Sequence, residues 1–97
     1  MIRHVALFTW TDDATDEQKA AVATALATLP AAIPQIRAYT FGPDAGINPG
    51  SHDFAVVADF DDLDDYLAYR DDAGHQAVIA EYIKPILASR AAVQLSL

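Results

Sequence analysis

A strand that is apolar on both of its faces must be covered twice, and this chain opens with one. In Ile2–Trp10 (IRHVALFTW) the alternation sets Ile2, Ala6, Phe8 and Trp10 on one face, with His4 among them, and Val5 and Leu7 on the other. Thr15 then stands as an N-cap with Gln18 three residues on, a capping box, and Asp16 and Glu17 suit the positive end of a helix dipole. This helix is expected to run to about Leu29 on a stripe of Val22, Leu26 and Leu29, with Pro30 and Pro34 stopping it. Ile36–Phe41 reads as a second strand closed by Gly42-Pro43, followed by a loop through Asn48-Pro49-Gly50. His52–Phe60 reads as a third strand, with His52, Phe54, Val56, Ala58 and Phe60 on one face. Asp61-Asp62 begins a short helix carrying Leu63, Tyr66 and Leu67. A further helix follows Gly74 and runs to about Leu87 on a stripe of His75, Val78, Ile79, Tyr82, Ile83 and Ile86, with Pro85 disturbing its last turn. Arg90–Leu97 is a closing strand.

The order β-α-β-β-α-α-β in 97 residues, without repeats or linkers, describes one domain spanning 1–97. The expected class is α+β, ferredoxin-like, with a four-stranded antiparallel sheet and helices on one face. Helices that cover one face leave the other face of strands one and three bare. Monomers rarely tolerate such a patch. A homodimer through the sheet face, closing a dimeric α/β barrel, is the expected solution.

Charge removes several function classes. Fourteen acidic residues against six basic ones give a net charge of −8, which repels phosphate backbones and anionic membrane surfaces, so neither nucleic acid nor membrane is an expected partner. Without cysteine there is no disulfide, thiolate metal site or cysteine nucleophile. No apolar run approaches a membrane span and the N-terminus lacks a signal-peptide pattern, so a cytoplasmic protein is expected. There is no glycine-rich phosphate loop and no nucleophile elbow, so no cofactor is expected. The three histidines lack a tight metal-binding pair. The aspartate-rich run 59–72 has Asp64 and Arg70 where a calcium loop needs glycine and glutamate, and reads as caps and solvated helix faces.

His75 is the most informative position. It lies in the first turn of the last helix, on the apolar stripe, where burial and the helix dipole both disfavour imidazolium. A neutral imidazole there serves either as a general base or as a core histidine donating to a backbone carbonyl. Tyr69, six residues earlier, is either an oxyanion donor beside it or a packing aromatic. His4 shares the pocket if its face meets the helices, and lies at a subunit interface otherwise. His52, beside the loop, is expected at the surface.

The segments IRHVALFTW, TDEQKAAVATALATLPAAIPQI, HDFAVVADF and AYRDDAGHQAVIAEYIKPIL resemble, in order and over nearly the whole chain, the stress-responsive dimeric α/β-barrel (Dabb) family. His4 matches that family's histidine on strand one, and Asp72-Ala73-Gly74-His75 matches a His-Pro-Ala-His-like segment in its last histidine only. Plant polyketide cyclases of the olivetolic acid cyclase type are similar, and the resemblance implies catalytic roles in aldol condensation for Tyr69 and His75. His4, Phe54 (where the resemblance implies a pocket histidine in the cyclase) and Trp10 are the expected substrate contacts.

Three functions compete. One is a cofactor-independent, polyketide cyclase-like enzyme using His75 and Tyr69 on a small apolar or phenolic compound. Another is a cofactor-free monooxygenase of the antibiotic-biosynthesis type, to which Trp10 and pocket aromatics would contribute. The third is a non-catalytic, stress-responsive dimer that binds a small apolar ligand. An anionic substrate requires Arg3, Arg37 or Arg90 to reach the pocket.

Overall fold

The computed structural model describes residues 1–97. Strand β1 (Ile2–Trp10) is followed by helix α1 (Asp16–Leu26), a single turn α2 (Leu29–Ala32), and strands β2 (Ala38–Pro43) and β3 (Phe54–Phe60). Helices α3 (Leu63–Asp71) and α4 (Ala73–Val78) come next, and β4 (Leu87–Ser96) closes the chain. All pairings are antiparallel and the sheet order is β2-β3-β1-β4, so β1 and β3 are central. This is the ferredoxin-like α+β arrangement expected from the pattern. No helix is long and apolar enough to cross a membrane.

The helices lie on one face. His4, Ala6, Phe8 and Trp10 of β1 are buried, as are Phe54, Val56, Ala58 and Phe60 of β3. They pack with Val22, Leu26, Leu29, Ile83 and Ile86 into one core. The opposite face holds Val5, Leu7 and Val57, only partly covered, and Val93 and Leu95, which are exposed. The register joins them, since Val5 stands opposite both Val57 and Val93. Arg3 pairs with Asp59 on this same face, Nε to Oδ1 at 2.7 Å.

Element boundaries differ from the expectations at the prolines. The Thr15 capping box forms, but α1 ends at Leu26, and Pro30 lies in the first turn of α2, where its missing N–H costs nothing. Proline there starts a turn rather than stopping one. β2 is displaced two residues toward the C-terminus and carries Pro43, which an edge strand tolerates. β3 starts at Phe54; just before it, the Asp53 N–H donates to the Phe8 carbonyl, its own carbonyl accepts from Asp44 N–H, and its carboxylate accepts from Trp10 N–H at 2.8 Å. Beyond Val78 the last helix widens into a π turn over Ile79–Ile83 and tightens into a 3-10 turn over Lys84–Ile86. Pro85 has no N–H to return to an α-helical acceptor, and the following strand begins at Leu87, three residues earlier than expected.

Phe60 has no solvent exposure and touches Tyr66 and Tyr69 through its ring. Phe60→Ala should therefore cost about 3–5 kcal/mol, read as a lowered urea midpoint with an unchanged slope.

Candidate functional site

Three polar rings meet beneath the helices. His4 is carried inward by β1, between Ile2 and Ala6 on the covered face, and is only 5% exposed. Tyr69, 2% exposed, comes from the last turn of α3. His75, 8% exposed, comes from the first turn of α4. Asp72 lies between the two helices and caps the second, its Oδ2 accepting the His75 backbone N–H at 2.9 Å. This short turn stacks the Tyr69 and His75 rings, with centroids 4.0 Å apart and planes inclined by 29°. His4 faces Tyr66 at 5.2 Å and Tyr69 at 6.2 Å. The two faces left open for His4 are thereby decided: it lies on the helix side.

Hydrogen bonds assign a different tautomer to each histidine. The Gln94 amide donates to His4 Nδ1 at 3.0 Å, so the neutral ring holds its proton on Nε2. His75 Nδ1 lies 3.3 Å from the Arg70 carbonyl oxygen, which only accepts, so its proton is on Nδ1 and Nε2 is the free basic nitrogen. One ring is therefore a donor at Nε2 and the other an acceptor. Burial pushes the His4 pKa down to about 4, helped by the positive charge of Arg90. Burial also lowers His75, against the opposing effect of its carbonyl contacts. The Tyr69 hydroxyl meets that of Tyr39 from β2 at 3.1 Å, and burial raises its pKa far above the ordinary phenol value. Tyr69 is thus a protonated donor at any physiological pH.

These rings line a cavity of about 260 Å³, with Phe8, Leu26, Val56, Ile79 and Ile83 among its apolar walls and Arg90 at its lining. That is somewhat smaller than the roughly 300–1,000 Å³ of drug-sized ligand sites. Trp10 and Phe54 lie elsewhere, stacked with Phe8 in the core and bordering a separate depression near Asp53. The structure thus brings His4, Tyr69 and His75 together and leaves Trp10 and Phe54 outside. His52 is half-buried rather than exposed, its Nδ1 bonded to Thr9 Oγ1 at 2.8 Å on the open sheet face. Arg3 and Arg37 are held by Asp59 and Asp61, so of the three arginines considered only Arg90 reaches the cavity. Gln94 and Tyr39 were not singled out by the sequence pattern, since their roles depend on strand pairing. No group of three metal-ligating side chains converges here.

The pH dependence follows by sign. An unfolded chain with His4 near 6.5 binds more protons than the folded one between about pH 4 and 6.5, so stability rises with pH through that window. Asp59, Asp61 and Asp71, lowered by their arginine partners, act only below the ordinary aspartate value near 3.8. The urea midpoint should fall from pH 7 to pH 5 in the wild type, and fall distinctly less in His4→Gln.

Residues 2–97 match the family described as the stress responsive A/B barrel domain. Among solved structures, a dimeric ferredoxin-like protein of unknown function from Thermobifida fusca is 52% identical, with a TM-score of 0.92 over 99% of this chain and 90% of that one. A dimeric protein of unknown function with a ferredoxin-like fold from Bacteroides fragilis is 32% identical, with a TM-score of 0.82 over 99% and 95% of the two chains. A hydroxynitrile lyase from Passiflora edulis shares the fold at 14% identity, with a TM-score of 0.85 over 99% and 92%. No curated protein matches the chain. With its sheet, its covered and open faces and nearly its whole length accounted for, the chain belongs to the stress responsive A/B barrel (Dabb) domain family.

Proposed function

We propose that this chain is a homodimer whose subunits each carry a cofactor-independent, cyclase-like (aldol-type) site acting on a small, largely apolar carbonyl compound. The observation that carries the catalytic part is the Tyr69–His75 stack in the cavity wall, with His75 Nε2 left free by the Arg70 carbonyl contact. His75 Nε2 takes a proton from the carbon next to a substrate carbonyl. The C–H electron pair becomes the double bond of an enolate, whose oxygen accepts a hydrogen bond from the Tyr69 hydroxyl. The enolate carbon bonds to a second carbonyl carbon in the same molecule, and the new alkoxide recovers the proton from His75 imidazolium. Loss of water from the resulting aldol then gives an unsaturated ring. The lyase from Passiflora edulis, of the same fold, is a parallel for a catalytic use of this architecture. Ligand binding without turnover is the second reading, and one observation favours it: the Tyr69 hydroxyl already has a partner in Tyr39.

The dimer rests on the half-bare sheet face. Val93 is 50% and Leu95 43% exposed beside Val5, Leu7 and Val57, and an apolar surface of this kind on an otherwise strongly acidic chain calls for a cover. A second copy offers the same surface in return, and the similar proteins from Thermobifida fusca and Bacteroides fragilis are dimeric.

Both parts are tested directly. In D₂O the protein should speed exchange of the α-hydrogens of a small methyl ketone, with His75→Gln about 10²–10⁴-fold slower and Tyr69→Phe about 10²-fold slower. The rate should fall as pH drops below the depressed His75 pKa. Exchange at the buffer rate in the wild type sinks the enzymatic reading and leaves the binder. Sedimentation equilibrium should give about twice the 10.4 kDa chain mass, and Val93→Asp should shift it toward the monomer.

A further inference from the structure

The charge on this cavity is opposite to that of the chain. Three of the six cationic side chains line it, Arg70, Lys84 and Arg90, and none of the fourteen acidic ones does. Arg70 is engaged by Asp71, as Arg3 and Arg37 are engaged by Asp59 and Asp61. Arg90 is the one arginine without an acidic partner, and Lys84 has none either. In a chain with eight excess negative charges, carboxylates are plentiful, so two unpaired cations beside one apolar cavity mark a place kept for a negative charge from outside.

Arg90 also stays available if the sheet faces pair. It stands opposite Phe8 in the β1–β4 register and lines the helix-side cavity, away from the open face that carries Val93 and Leu95. Its field reaches the site, for it disfavours the charged forms of both His4 and His75 and favours ionisation of Tyr69. A guanidinium holds a planar carboxylate by two parallel hydrogen bonds, and a lysine adds one more donor. That donor set suits a monoanion.

We propose that Arg90, assisted by Lys84, binds the carboxylate of the substrate, so that the natural ligand is a small carboxylic acid whose apolar body lies against Ile79 and Ile83 and whose reacting carbonyl reaches Tyr69 and His75. The proposal names the substrate class for the site described above and rests on that reading.

The test compares 3-phenylpropionate with 3-phenylpropanamide, which match in shape and differ in charge, using the ring resonances of His4 and His75 as the readout. The carboxylate should bind the wild-type protein about tenfold more tightly than the amide, and raising salt from 20 to 500 mM should weaken the carboxylate alone. Arg90→Gln should erase the preference by weakening the carboxylate far more than the amide, and Lys84→Gln should reduce it. Arg90→Gln should also raise the titration midpoints of both histidines, because it removes a positive charge that disfavours imidazolium. Equal affinities in the wild type, or a preference that survives Arg90→Gln, overturns the anion site while the cavity stands. If neither compound perturbs either histidine, the cavity reading falls and this proposal falls with it.

Discussion

The register of β1 is the constraint on which the rest depends. The strand is paired on both sides, with Ala58 and Gln94 flanking His4, and its alternation commits every side chain to the helix side or the open side. A slip of one residue would send His4, Phe8 and Trp10 to the bare face and bring Arg3, Val5 and Leu7 under the helices. An arginine in the core would then lie far from Asp59, and the Gln94 contact that holds the His4 tautomer would be lost. The Arg3–Asp59 pair and the His4–Gln94 bond thus report one fact from opposite faces: the polar residues of β1 have matched partners in one register only.

That register has an energetic consequence for the cavity. Two imidazoles and a phenol are buried in the wall of one cavity, and each is tolerable because it is neutral and hydrogen-bonded. Neutrality comes from desolvation, which lowers both histidines and raises the tyrosine. The same burial therefore supplies an unprotonated nitrogen and a protonated hydroxyl side by side near neutral pH, as proton transfer at carbon requires. Asp72 contributes at one remove. By capping α4 through the His75 N–H it holds the turn that stacks His75 on Tyr69.

Local pattern carried much of this. The Thr15 capping box, the alternation of β1 and β3 and the inward position of His75 all follow from residues within a few places of one another. The six-residue spacing of Tyr69 and His75 likewise suffices to bring them together across one capped turn. What escaped depends on partners distant in sequence. Tyr39 meets Tyr69 over thirty residues, Gln94 meets His4 over ninety, and neither bears a local mark of its role. Trp10 and Phe54 show the reverse failure. Their apolar character was legible, but whether an inward aromatic lines a cavity or fills the core beside it depends on three-dimensional packing, and here Phe8 lies between them and the rings of the site. Pro30 and Pro85 were read as breakers, although their effect depends on position: one opens a turn, and the other follows a widened one.

The placement of charge ties the fold to the site. Asp62 and Asp72 serve as helix caps and Asp59, Asp61 and Asp71 as arginine partners, all outside the cavity. An unpaired carboxylate beside the rings would stabilise imidazolium and raise both histidines toward the charged state, whereas one held by Arg90 and Lys84 has its charge offset by theirs. Arg90 on the lining acts in the other sense, adding to burial in disfavouring the charged forms of His4 and His75 and favouring negative charge at Tyr69. For the two histidines, the exclusion of acids and the presence of Arg90 therefore act in the same direction as burial, while at Tyr69 Arg90 opposes it. A strongly acidic chain thus keeps its carboxylates off the lining of a small, largely apolar cavity that holds two neutral imidazoles.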